Sequence, residues 1–266
     1  MQSLIKEIKR RLNLKLIVFS LVIYLFFFHV PDIQAVSDFP LVLGAHRGSS
    51  VDHTENTIES IQEAVEIQDY SFIEFDIQYT KDKVIVVFHD NSLLRLQGKL
   101  GKIQELTYQE LSEVSGYHIP TYQEVMDLIG DNKRINIEIK SQGNFEDDKE
   151  LVDFVVKDCK ERGILDLVLV SSISSEVIEY VSQKYPKIKT GMVYLIHTVT
   201  YLPSKSVVEN FYQEMSEIGA DYIMLHGLNL KNNLLVDLKP EDTTLIFWYF
   251  TDQMMIMQKD ASDRLW

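Results

Sequence analysis

Apolar residues along the chain collect into short runs that alternate with stretches of helical period. Strand-type runs fall at 41–46, 72–79, 134–140, 167–173, 189–196, 221–226 and 243–250, with helical segments between them. The run at 84–89 follows the polar, turn-like Lys81-Asp82-Lys83 and reads as a hairpin return, which leaves seven main strands. After Glu55-Asn56-Thr57 the apolar positions Ile58, Ile61, Ala64 and Val65 trace one face of a helix, with Thr57 or Asn56 as its cap. Amphipathic helices are expected at 107–115 and 122–130, on either side of Ile119-Pro120-Thr121. The polar, acidic stretch Gln142 to Lys149 reads as a mobile loop, and Leu167 to Ile173 as a strand buried on both faces.

Chemistry-bearing residues sit at the ends of these runs. Side chains alternate along a strand, so Glu74 and Asp76 project from one face while Ile73, Phe75 and Ile77 project from the other. A hairpin centred near residue 82 places His89 opposite Asp76. Asn136, Glu138 and Lys140 share a face, with Ile135, Ile137 and Ile139 on the reverse. Unpaired carboxylates are costly inside apolar segments, which argues against idle ones here. Two imidazoles with carboxylates suit metal-assisted phosphodiester cleavage, in which one group takes a proton and another gives one to the leaving oxygen. Histidine, with a pKa of about 6.5, serves both roles near neutral pH. A hard cation such as Ca²⁺ or Mg²⁺ prefers the oxygens that three carboxylates offer. Arg47 can donate paired hydrogen bonds to a phosphate, and Lys140 adds a point charge.

In order along the chain stand His46-Arg47-Gly48, then Glu55-Asn56-Thr57, Ile73-Glu-Phe-Asp76, Val86-Val-Phe-His89-Asp90, Ile119-Pro-Thr121 and Glu138-Ile-Lys140. This ordered set resembles the glycerophosphodiester phosphodiesterase family over roughly residues 41 to 252. The resemblance implies an α/β fold, a TIM-type (β/α)₈ barrel, with a divalent cation held by Glu74, Asp76 and Glu138 and with His46 and His89 as the acid/base pair. It further implies attack by a glycerol hydroxyl beside the phosphate to give a cyclic phosphate that water opens. Relatives carry a Trp-Thr-Val-Asn signature where this chain keeps only Trp248, a candidate wall for the glycerol moiety. They also continue into a last strand that is not found in Lys259 to Trp266, so the barrel is expected to lack its final unit, with 251–266 as a loosely held helix. Such a gap would leave unpaired backbone groups on the first and seventh strands. A short barrel strand at Ile119-Pro120-Thr121 is the alternative.

Glu55 is a secondary candidate near the cation, and Ser172 a candidate substrate contact. His53, His118, His197 and His226 have no motif behind them, and His226 is the one most favoured to approach the pocket. The short Gln97 to His118 segment suggests a roomy, lightly capped pocket.

Leu16 to Val30 is an almost unbroken apolar run preceded by Lys6, Lys9, Arg10, Arg11 and Lys15. It reads as a membrane anchor with a cytoplasmic N-terminus, or as a signal cleaved after Ile33-Gln-Ala35. Either places the catalytic part outside the cytoplasm. The ~230 residues that follow suit one barrel, which usually takes about 250. A net charge of −14 across 266 residues argues against nucleic acid as a partner, and the single cysteine, Cys159, excludes an internal disulfide. The function so read is hydrolysis of a small glycerophosphodiester to glycerol 3-phosphate and an alcohol. The alternatives are a related barrel phospholipase acting on intact phospholipids, and an inactive remnant or binding module.

Overall fold

Thr57, Thr107 and Thr121 each stop the preceding chain and start a helix: each hydroxyl accepts the backbone N–H three residues on, and that residue's side chain accepts the threonine N–H in return. The computed structural model describes residues 41–195, 197–249, 253–257 and 265–266. The helices used below are α1 (Ile58–Glu66), α2 (Tyr108–Val114), α3 (Tyr122–Ile129), α4 (Phe145–Arg162), α5 (Ser175–Lys184) and α6 (Lys205–Ile218). The described strands are β1 (Leu41–His46), β2 (Tyr70–Tyr79), β3 (Ile85–Val87), β4 (Arg134–Ile139), β5 (Val168–Ser172), β6 (Lys189–Tyr194), β7 (Tyr222–His226), β8 (Thr244–Trp248) and β9 (Gln253–Met257).

Seven strands run parallel in the succession β1, β2, β4, β5, β6, β7, β8, the number that the sequence pattern predicts. The eighth place is filled from the opposite direction. Strand β9 lies antiparallel to both β8 and β1, from Leu245↔Met257 to Ala45↔Gln253, and so closes the barrel. The expected helix at 251–266 is thus replaced by a strand over 253–257, and the two strands expected to have open edges are paired there. Trp266 is also held: its indole Nε1 donates to the Leu167 carbonyl at 2.9 Å, its ring meets Phe72 and Tyr222 edge-on at 5.1 and 5.5 Å, and its carbonyl accepts from Arg134. Ile119-Pro120-Thr121 is not a barrel strand. Pro120 O accepts from Val87 N and Thr121 forms an isolated bridge with Val86, which pins β3.

Two other expectations shift. The hairpin turn closes between Thr80 and Val84, so Ile77 pairs with Val87 and Phe88 N donates to Asp76 O. His89 therefore lies one residue beyond the position opposite Asp76, past the end of β3. The segment 142–149 is not all loop: Asn144 caps α4 and accepts from Glu146 N, and its acidic first turn suits the positive end of the helix.

Outward side chains Ile73, Phe75, Ile77, Ile135, Ile137 and Ile139 pack beneath the helices against Ile61, Ala64, Val125, Met126, Val152 and Val155. Inward, Phe72, Leu169, Met224 and Ile246 form an apolar floor with Trp266. Gly44 leaves room for that floor, since a Cβ there would stand 2.0 Å from the Phe72 ring. Gly44→Val is expected to cost about 1–3 kcal/mol or more through overpacking. A thermal unfolding midpoint equal to that of the parent would contradict this packing.

Among the described residues no helix is long and apolar enough to cross a membrane. Leu16 to Val30 lies outside the described residues.

Candidate active site

Register brings the carboxylates together. His46 is level with Glu74 across β1 and β2, and Asp76 is level with Glu138 across β2 and β4. Carboxylate oxygens of Glu74, Asp76 and Glu138 all lie within 4.8 Å of one another. After His46 the chain turns through two left-handed residues, Arg47 (φ 61°) and Gly48 (φ 77°), which aims Arg47 N–H at Glu74 Oε2, 2.9 Å away. A Cβ at Gly48 would meet the Ser60 backbone at 2.6 Å, so both the turn and the approach of α1 require glycine.

Asn56, which the sequence pattern offers only as a helix cap, braces Asp76 instead. Also left-handed (φ 58°), it donates from Nδ2 to Asp76 Oδ2 at 2.8 Å and accepts Asp76 N–H on its Oδ1 at 3.2 Å. Thr57 takes the helix cap, which frees Asn56 to fix Asp76. Asn56→Ala is expected to weaken divalent-cation binding by ~10–100-fold, the scale on which partners of ligating groups act. Calorimetric titration with Ca²⁺ checks this, and an unchanged Kd would contradict it.

The charges are interlocked. Lys140 Nζ lies 2.7 Å from Glu138 Oε1 and 3.4 Å from Asp76 Oδ1; Arg47 Nε lies 3.5 Å from Asp76 Oδ2, and its Nη1 donates to Glu55 Oε1 at 2.9 Å. Arg47 and Lys140 thus enter the site already paired with carboxylates. Burial, seconded by the charges of Asp76 and Glu138, pushes the Glu74 carboxyl well above its ordinary range. Burial would push Asp76 up as well, but Lys140, His89, Arg47 and the Asn56 hydrogen bond outweigh it and hold Asp76 well below. Burial alone would lower Lys140, yet Glu138 and Asp76 raise it. Glu74 Oε1 and Asp76 Oδ1 are buried and accept no hydrogen bond. Two such oxygens in an all-carboxylate donor set fit a hard divalent cation.

His46 Nε2 lies 3.9 Å from Glu74 Oε2, and its ring centroid is 6.0 Å from that of Trp248. His226, at the end of β7, stands edge-on to Trp248 at 4.9 Å, so it does approach the site, as the sequence pattern favours. His89 Nδ1 lies 2.6 Å from Asp90 Oδ1, and the ring is near enough to both Asp76 and Glu55 to act on them electrostatically. Glu55 itself is engaged by Arg47 and Arg95 and is not part of the carboxylate trio. The Ser172 hydroxyl donates to Ile139 O and accepts from Ser174 N, so it serves the backbone and not a substrate. His53 and His118 face Glu63 and Glu124, and His197 caps a helical turn by accepting from Val199 N.

Side chains from β1, β2, β4 and the loop after β3 gather at the strands' C-terminal ends, the face on which barrels of this type carry their active sites. The chain belongs to the glycerophosphoryl diester phosphodiesterase family, whose model matches residues 46–255. It is 34% identical over 161 residues to a glycerophosphodiester phosphodiesterase of Caldanaerobacter subterraneus, covering 56% of this chain and 65% of that protein, and so spans just under two thirds of that relative's length. A Bacillus subtilis glycerophosphodiester phosphodiesterase is 28% identical over 215 residues, with 70% of each covered. Among solved structures, the glycerophosphodiester phosphodiesterase of Thermotoga maritima superposes with a TM-score of 0.60 at 28% identity, covering 79% of this chain and 85% of the other.

Proposed function

We propose that this protein hydrolyses small glycerophosphodiesters to glycerol 3-phosphate and an alcohol. The observation that carries the reading is the meeting of the Glu74, Asp76 and Glu138 oxygens within 4.8 Å, with His46 Nε2 3.9 Å from Glu74. Glu74, Asp76 and Glu138 would hold a Ca²⁺ or Mg²⁺ ion, which when bound neutralises phosphate charge and acts as a Lewis acid. His46 and His89 form the acid/base pair, one taking the proton of the attacking glycerol hydroxyl and the other protonating the leaving alcohol oxygen, with the roles reversed when water opens the resulting cyclic phosphate to glycerol 3-phosphate. Arg47 and Lys140 hold Asp76 ionised and turn positive charge toward the phosphate. Trp248, packed between His46 and His226, presents an apolar wall to the glycerol carbons.

The test is release of glycerol 3-phosphate from glycerophosphocholine, measured with the purified chain, with and without chelator. Cation-dependent release is expected. Cleavage of intact phosphatidylcholine with no action on glycerophosphocholine would overturn the substrate assignment.

Leu16 to Val30, with its basic flank, supports a single-pass anchor that holds the barrel outside the cytoplasm. Protease added to intact cells is expected to degrade the barrel domain, and full protection would contradict that placement.

A further inference from the structure

The loop after β3 is tied to the loop after β1 through one guanidinium. Arg95 donates from Nε to Asp90 Oδ2 at 2.7 Å and from Nη2 to Asp90 Oδ1 at 3.0 Å, a fork on one carboxylate. It also donates from Nη1 to Glu55 Oε2 at 2.8 Å and from Nη2 to Glu55 Oε1 at 2.5 Å, a fork on a second. Glu55 in turn accepts from Arg47 Nη1 at 2.9 Å, and Arg47 N–H points at Glu74. At the other end Asp90 Oδ1 meets His89 Nδ1 at 2.6 Å. The contacts therefore run without a break from His89 through Asp90, Arg95, Glu55 and Arg47 to the carboxylate trio.

Direction matters in this chain of contacts. An ionised carboxylate only accepts hydrogen bonds. Burial pushes Asp90 up, but the hydrogen bonds from His89 and Arg95 outweigh it and keep the carboxyl well below its ordinary range. The neutral His89 ring must then carry its proton on Nδ1, which leaves Nε2 as its basic atom. A single exposed ion pair would do little for stability. A double fork differs, because a planar guanidinium facing two carboxylates fixes their orientations as well as their charges.

We infer that Asp90 and Arg95 are positioning residues: Arg95 clamps the loop carrying His89 to the loop carrying Arg47, and Asp90 converts that placement into one ring orientation and one tautomer for His89. The inference rests on the acid/base reading of His89 given above. Arg95 touches neither imidazole and acts through Asp90 and Glu55.

Asp90→Asn and Arg95→Lys are near in shape to the residues they replace, so their thermal unfolding is expected to stay close to that of the parent. In each, kcat on glycerophosphocholine is expected to fall by ~10–100-fold, as when an outer partner of a functional group is lost, with KM little changed. Two-bond ¹H–¹⁵N spectra of the full chain, with His89 assigned by the signals missing from His89→Gln, are expected to show Nδ1–H in the parent and a mixture of tautomers in Asp90→Asn. Activity of Arg95→Ala is expected to recover in millimolar guanidinium and not in ammonium.

A His89 ring that keeps Nδ1–H in Asp90→Asn, or an Arg95→Lys with parental kcat, would overturn the inference. The ring spectra need no turnover. A protein idle toward glycerophosphocholine whose His89 tautomer still shifts in Asp90→Asn would refute the substrate reading and leave the clamp standing.

Discussion

His46→Ala is expected to lose ~10²–10⁴-fold in kcat on glycerophosphocholine, the contribution of one positioned acid/base group. His46 is buried at the C-terminal end of β1, 3.9 Å from Glu74 and 6.0 Å from the Trp248 ring. On the acid/base reading proposed for it, its removal takes away a proton-transfer group but no member of the carboxylate trio, so Ca²⁺ affinity is expected to hold. Glycerol 3-phosphate release by a coupled assay, beside a Ca²⁺ titration of the same sample, reads both quantities. Turnover within tenfold of the parent would remove His46 from the chemistry.

The second large effect concerns pH and the cation. In the metal-free protein Glu74 sits above its ordinary range because of burial and the neighbouring Asp76 and Glu138 charges. A carboxyl raised on folding keeps a proton that the unfolded chain has released. Its stabilising share is therefore complete below the unfolded value of about 4.3 and is lost as pH rises through the folded value. Asp76 has the opposite sign, being held below its ordinary range. Its share is full above the unfolded value of about 3.9 and fades only toward acid, so of these two carboxyls only Glu74 contributes slope above pH 5.

A divalent cation held by the carboxylate trio would require Glu74 ionised, so its binding is expected to displace that proton and to strengthen with pH. At 100 times Kd a ligand adds about 2.7 kcal/mol. For a domain of this size that is a rise of roughly 5–11 °C in Tm. The Ca²⁺-induced rise is expected to be larger at pH 8 than at pH 5. A rise of equal size at both values would contradict the placement of Glu74 in the cation site.

The carboxylate trio was legible in the sequence because strand alternation alone puts Glu74 and Asp76 on one face, and parallel register brings Glu138 level with Asp76. Thr57 as a cap was legible for a similarly local reason. Asn56 was not, since its bond to Asp76 depends on a left-handed backbone that residue type permits without specifying. Asp90 adjoins His89 in the chain and Arg95 follows closely, but the clamp by Arg95 depends on Glu55, 40 residues away, which no local spacing announces. The hairpin turn falls where its polar residues place it, about residue 82, and pairing about that centre sets Phe88, one residue short of His89, opposite Asp76. The closing strand β9 was hidden for a topological reason. Its Met-rich run satisfies helix propensity, and only two antiparallel neighbours, β1 and β8, make it a strand. Ser172 misled because a buried hydroxyl next to a pocket has a cheaper use, the Ile139 carbonyl on the adjoining strand.

The most direct test of the whole account is the position of a bound divalent cation. Crystals of the chain grown with Mn²⁺, with data collected at the manganese edge, are expected to give one strong anomalous peak within about 2.0–2.6 Å of oxygens from Glu74, Asp76 and Glu138. A peak elsewhere in the barrel, or none at these carboxylates under saturating Mn²⁺, would contradict it.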